Sequence, residues 1–165
     1  VFHRILVAID GSEHAQRALS EAIDLAALAK AKLTVISVHQ RPSTLMVGGP
    51  IVPPIDFGEL DLALQSEHAQ LLESALEQVP DDVSVTKVLG EGPAAPAILT
   101  QAQKDDSDLI VMGSRGRGGM ASMLLGSVSH QVLQQSGVPV LVVHVEADER
   151  VVRAADRATE SSTDG

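Results

Sequence analysis

Cysteine, tryptophan and tyrosine are absent from the 165-residue chain, and Phe2 and Phe57 are its only phenylalanines. Without cysteine there is no disulfide framework, no thiolate nucleophile and no zinc–thiolate site. So few aromatics argue against functions that need stacking platforms, such as single-strand nucleic-acid binding or flavin sandwiching. No apolar run approaches the roughly 18 residues of a membrane span. The amino-terminal run from Val1 to Ile9 meets Asp10 too soon for a signal peptide. Basic charge is also scarce: 12 Lys and Arg stand against 22 Asp and Glu, a formal net charge of −10. Such a chain is repelled by nucleic acid and by anionic lipid. The expectation is a soluble cytoplasmic protein with neither nucleic acid nor membrane as partner.

What is present suits a core of Val, Ile, Leu and Ala: hydrophobic residues make up 44% of the chain, and its length fits one domain. Ile5-Leu6-Val7-Ala8-Ile9 is an unbroken apolar run, the pattern of a strand buried on both faces in a parallel sheet. Asp10-Gly11-Ser12 then supplies a turn and a helix N-cap. From Glu13 to about Lys30 the apolar residues fall at helical spacing. Leu33–Val38 is the next strand, and one βαβ unit is in hand.

Gln40 to Gly58 holds four prolines and three glycines, and reads as a long loop. A helix is expected from Glu59 to Val79, then a strand from Val83 to Leu89. Pro93 stands near the favoured first helical position, with the helix running to about Lys104. Asp108–Met112 is a strand, Ser127 to Gln135 a helix closed by Gly137 as a C′ glycine, and Val138–Val145 a last strand. The domain spans 1–145. Residues 146–165 hold six acids and three arginines and read as an acidic tail. The alternation argues an α/β layered fold with five parallel strands. Ligands of such sheets bind beyond the carboxyl ends of the strands. The candidate segments there are Asp10–Ser12, Val38-His39, Gly90-Glu91-Gly92 and the glycine-rich stretch from Gly113 to Ser127.

That stretch carries the chemistry. Its glycines admit a ligand to the main chain, and the helix beginning near Gly126-Ser127 offers free amides and a positive dipole end. Ser127 is a candidate N-cap, and Ser127 and Ser129 add hydroxyls. From Leu109 to Val145 there is no acid, while Arg115 and Arg117 are the only lysine or arginine side chains. In an acidic protein this window tolerates an anion, so Arg115 and Arg117 are candidate phosphate contacts. From composition alone, a glycine-rich loop with two solvated arginines remains an open alternative. The Walker pattern is absent. Gly116-x-Gly118-x-x-Ala121 matches a loose dinucleotide fingerprint, but no strand precedes it directly and it opens no helix at once.

Gly113-x-x-Gly116, nine residues, then Gly126-Ser127 resembles the G-2x-G-9x-G-[S/T] signature of the ATP-binding branch of the universal stress protein family. The likeness extends from Val7-Ala8-Ile9-Asp10-Gly11-Ser12 through Gly90-Glu91-Gly92-Pro93 to Gly137-Val138-Pro139-Val140. It implies a three-layer sandwich with sheet order 3-2-1-4-5, like the adenine nucleotide alpha hydrolases, and ATP, ADP or AMP in the cleft. By matching position, Asp10 would contact the ribose, with Ala8 and Val38 against the adenine. Met112 and Gly113 would lie close to the nucleotide, and Gly116, Gly126, Ser127, Val128 and Ser129 around the phosphates. The family expectation is a homodimer through Val138–Val145, and pairing of that apolar edge would cover it.

No Ser-His-Asp or paired-carboxylate constellation can be placed, so no catalytic residue is assigned. The six histidines show no ligand spacing. His39, at a strand end, is a lesser candidate for touching ligand. The leading expectation is a nucleotide-dependent regulator or sensor in the stress response, acting on unknown protein partners. One alternative is a slow, Mg²⁺-assisted ATPase with Asp10 near the metal; another is a nucleotide-free dimeric scaffold.

Overall fold

A computed structural model describes residues 1–41, 57–117 and 125–145. The loop expected at 40–58 lies largely outside the described residues, as do the centre of the glycine-rich stretch and the tail at 146–165.

Five strands and four helices alternate among the described residues. The strands are β1 (Arg4–Ile9), β2 (Lys32–His39), β3 (Val85–Glu91), β4 (Leu109–Gly113) and β5 (Val140–Val143). The helices are α1 (Glu13–Ala29), α2 (Phe57–Leu76), α3 (Ala94–Lys104) and α4 (Ser127–Gln135). All strand pairs are parallel and the sheet order is β3-β2-β1-β4-β5. The α/β fold and the expected strand order are therefore present.

Alternation along β1 builds two cores. Ile5, Val7 and Ile9 pack with Ala18, Leu19 and Ala22 of α1 and Leu72 and Ala75 of α2 on one face. Leu6 joins Ile36, Ile98, Ile110, Met112 and Val132 on the other, under α3 and α4. Burying Leu19 or Ile23 of α1 contributes about 1.5–3 kcal/mol each. This two-sided burial explains why the central strands read as unbroken apolar runs.

Pro93 stands near the first helical position as expected, as the N-cap of α3 with φ −61° and ψ 129°. Two local expectations give way. At the end of α4 the chain turns into extended backbone at Ser136, and Gly137 has no positive φ, so no C′ glycine closes the helix. Ser136 Oγ instead organises the exit, accepting from Val138 N and donating to Val138 O. Strand β5 is shorter than the apolar run, ending at Val143 rather than Val145.

Sheet order reverses around β1, which has β2 on one side and β4 on the other. Their carboxyl ends splay there, and the site opens at that point.

Candidate functional site

A cavity of about 470 Å³ sits over the carboxyl ends of β1, β2 and β4. Its volume lies in the range of small-molecule sites. One end is aliphatic, built from Ala8, Ile36, Val38, Ala94, Ile98 and Met112. The register aligns Ala8 with both Ile36 and Met112, so three neighbouring strands form an apolar floor. The other end is polar and largely main chain: Asp10, Gly113, Arg115, Gly116, Arg117, Gly126, Ser127, Val128 and Ser129. Every residue singled out from the signature and from the charge argument thus lines one cavity. Ile36, Ala94 and Ile98 join them without having been singled out. The Gly90–Gly92 turn does not line it, and neither does His39, which is buried with Nδ1 3.1 Å from Gly90 O.

The polar end is held by an arrangement no single segment reveals. Asp10 Oδ1 accepts from Ser12 N at 3.0 Å, and Asp10 Oδ2 accepts from Arg117 N at 3.2 Å. The carboxylate clamps the turn after β1 to Arg117, four residues beyond the end of β4. A Cβ on Gly116 would lie 2.6 Å from Asp10 Oδ2, so the glycine makes room for this clamp. Arg117 reaches back to α2, where its guanidinium pairs with Glu67. That hydrogen bond lowers the Glu67 pKa. The acid-free window therefore gains two carboxylates from other elements, Asp10 and Glu67.

Gly113 is needed for packing. Its Cβ would meet His14 C at 2.7 Å and Ala15 N at 2.9 Å, both main chain of α1. Its carbonyl accepts from Ser129 Oγ at 2.8 Å, a buried bond joining β4 to the first turn of α4. The Ser129 hydroxyl proton is thereby committed, and only the amide of Ser129 remains to face an anion.

Helix α4 has the expected bounds but not the expected cap. Its N-cap is Gly126, with φ −73° and ψ 162°, and Ser127 is the first helical residue. Gly126 N donates to Ser114 O at 2.6 Å. A Cβ on Gly126 would contact Arg115 Cα and Ser114 O at 3.4 Å, so it points into the protein rather than into the phosphate volume. No side chain caps this helix, and no acid stands in its first turn. The amides of Ser127, Val128 and Ser129 have no acceptor within a helix.

Two histidine sites were not legible. His68 on α2 lies 2.8 Å from Ser37 Oγ through Nδ1, and Ser37 Oγ donates to Ile9 O. The serine proton being spent, His68 Nδ1 carries the hydrogen. Burial, the largest cause, lowers the His68 pKa, helped by Arg117 and His39 against Glu67 and Asp10. The second site joins His14, Ser114 and His144 beside Gly113.

For an adenine nucleotide the fit is direct: an aliphatic slot for a base, and an amide-rich end for phosphate. Asp10 is a single carboxylate, and among the described residues no group of three or more His, Cys, Asp or Glu stands together to hold a metal. Mg²⁺ would arrive with a polyphosphate, whose oxygens supply most of its ligands. Among the described residues no helix is long and apolar enough to cross a membrane.

The universal stress protein family model matches residues 2–144. Universal stress protein YxiE of Bacillus subtilis is 36% identical over 147 residues, covering 87% of this chain and 99% of its own length. Among solved structures, that of protein MJ0577 aligns with a TM-score of 0.75 at 26% identity, over 88% of this chain and 98% of that one. A universal stress protein in complex with cAMP aligns at 0.57 and 25% identity, over 88% and 98%. One from Archaeoglobus fulgidus in complex with dAMP aligns at 0.57 and 25%, over 87% and 98%. With the match running from the first strand to the end of the last, the chain belongs to the universal stress protein family.

Proposed function

We propose that the protein binds an adenine nucleotide, ATP foremost, and acts as a cytoplasmic, nucleotide-dependent regulator in the stress response. The observation that carries this is the bipolar cavity, whose amide-rich end meets a helix start with no side-chain cap. The base would lie against Ala8, Val38 and Met112, and the ribose near Asp10. The phosphates would take amides of Gly116 and of Ser127, Val128 and Ser129. Relatives of the same fold that bind cAMP and dAMP support a nucleoside monophosphate as the common part.

Regulation is favoured over hydrolysis by the state of the charged groups. Both Asp10 oxygens already accept amides, and Arg117 is paired with Glu67. Efficient phosphoryl transfer calls for a positioned base and a cationic clamp. Here both are engaged in holding the loop. Polyphosphate would compete with Glu67 for Arg117 and so change how α2 and Arg117 meet. Calorimetric titration with AMP, ADP and ATP, with and without Mg²⁺, tests the reading. Micromolar or tighter binding of ATP is expected, and absence of binding by all three would refute it.

The protein would work as a homodimer through β5. This is an edge strand, and Leu141 upon it is 38% exposed. Pairing across a two-fold axis would satisfy its free backbone groups. Leu141→Glu should shift the chain toward monomer in sedimentation. A dimer of undiminished stability would place the interface elsewhere.

A further inference from the structure

Ser114 follows Gly113 and is 2% exposed, with every polar atom engaged. Its amide donates to Val143 O at 2.7 Å, and its carbonyl accepts from Gly126 N at 2.6 Å. Its Oγ lies 2.9 Å from His144 Nδ1 and 3.2 Å from His14 Nδ1. The two imidazoles are 5.3 Å apart, centroid to centroid. One small residue, through its main chain and its hydroxyl, thus joins the end of β5, the start of α1 and the N-cap of α4.

The protons on this cluster can be assigned. His14 Nδ1 also accepts from Val145 N at 3.0 Å. An amide only donates, so His14 Nδ1 holds a lone pair. The Ser114 hydroxyl then donates to His14, and its oxygen accepts from Nδ1–H of His144. His14 is neutral, with its own hydrogen on Nε2. A second proton on Nδ1 would break the bond from Val145 and force the Ser114 hydroxyl to turn away, since the ring nitrogen would then donate as they do. Arg115 from the cradle and His144 from beyond β5 oppose that proton, while Glu13 on the same helix and Asp10 in the β1–α1 turn favour it.

We propose that His14 and His144 are positioning residues that hold Ser114, and through its carbonyl the Gly126 cap, in the geometry the anion requires, and that protonation of His14 opens this clasp. The proposal rests on the reading of the cavity as a nucleotide site. Its consequence is that the protein releases nucleotide on acidification by a route built into the cradle. Burial first, then Arg115 and His144, already holds the His14 pKa below its usual 6.5. The clasp is therefore closed at neutral pH.

Asparagine separates positioning from bulk. In His14→Asn the amide oxygen takes the place of Nδ1, accepts both bonds and cannot be protonated. In His14→Leu both bonds are lost. ATP titrations of the three proteins between pH 7.5 and 5.5 read the difference. Wild-type affinity should fall more than that of His14→Asn, by less than about tenfold because the His14 pKa lies below 6.5. His14→Leu should bind at pH 7.5 about as poorly as the acidified wild type. The ligand's own titration is common to all three and cancels. Parallel pH profiles for wild type and His14→Asn would overturn the proposal.

If even wild type failed to bind ATP at pH 7.5, the nucleotide reading would fail, and the clasp would be judged by ring ¹⁵N shifts of the free protein. Those should show hydrogen on Nε2 of His14 and on Nδ1 of His144; the opposite tautomers would rule the clasp out.

Discussion

Two helices begin near the same cleft, and they begin in opposite ways. Helix α1 is complete in itself: Ser12 Oγ accepts from Ala15 N at 3.2 Å, and Glu13 sets a negative charge in the first turn. Helix α4 has a glycine cap, no capping side chain and no acid in that turn. Helix α3 also lacks a side-chain cap, but Pro93 and Pro96 stand in its first positions and carry no N–H. Of α1, α3 and α4, only α4 presents a full set of amides with the dipole's positive end uncompensated. An N-terminus of this kind is an acceptor-seeking surface, worth about 0.3–1 kcal/mol to an exposed anion and more when partly buried. The difference separates a helix start closed by its own side chains from one that no side chain closes.

The most damaging change to that contrast is to give α4 the charge that α1 has. Ser127→Asp should stabilise the free helix slightly while repelling phosphate. A carboxylate about 6 Å from a phosphate charge, at an effective dielectric near 20, costs about 3 kcal/mol. Nucleotide affinity should therefore fall about 100-fold, with the thermal midpoint unchanged or raised. Calorimetry and a melting curve on one preparation check both halves. Unaltered affinity would remove α4 from the site.

Next in size is Gly113→Ala. The added methyl meets the main chain of His14 and Ala15 below 3.0 Å, where neither helix nor strand can yield cheaply. A destabilisation of about 1–3 kcal/mol is expected from overpacking, read from urea unfolding. The register of α1 against β4 would shift with it. A neutral result would mean that α1 stands farther from β4 than the geometry shows.

How legible this was from sequence depended on distance along the chain. Apolar runs such as Ile5–Ile9 and Leu109–Met112, and helical spacing from Ala15 to Ala26, reflect local burial, so the order of elements could be read directly. The lining of the cavity was legible too, because the signature concentrates it in Gly113–Ser129, with Asp10 at a strand end. Roles within the site were harder. Gly113 reads as a place where ligand meets backbone, yet the atoms its Cβ would strike belong to α1, about one hundred residues earlier. Ser127 has the chemistry of a cap, but the turn made by Gly126 N to Ser114 O shifts the cap by one residue. Glu67, His14 and His144 carried no local signal, because their partners lie on other elements. Charge counted in a window missed Asp10 and Glu67 for the same reason.

A smaller effect sharpens the comparison from the α1 side. Ser12→Ala removes the cap and should cost about 1 kcal/mol of stability. The contact from Ser12 Oγ to Arg115 O is long, at 3.4 Å, and contributes little. ATP affinity should therefore stay unchanged within error while the urea midpoint falls. A matching loss of affinity would show that the two helix starts are coupled through Arg115 after all.

The smallest effect is on pH, and it too divides the regions. The histidines whose pKa values are shifted lie on α1 and α2, at His14 and His68, while the first three residues of α4 carry no charged or imidazole side chain. Burial leads in lowering both histidine pKa values from 6.5. The neutral ring is the form the fold favours, so the unfolded chain takes up protons first as pH falls. Their contribution is complete above about pH 6.5 and is lost progressively below it, down to each lowered folded value. Glu67 and Asp108 behave as ordinary carboxylates in this respect. Both are lowered, Glu67 by Arg117, and Asp108 because amide hydrogen bonds from His3 and Arg4 outweigh its burial. Their share persists through the histidine window and fails only in stronger acid. Urea midpoints should thus drop between pH 7.5 and 5.5, and His14→Asn should recover part of the drop while leaving the His68 share. If His14→Asn recovered none of it, His14 would not be held neutral by the fold.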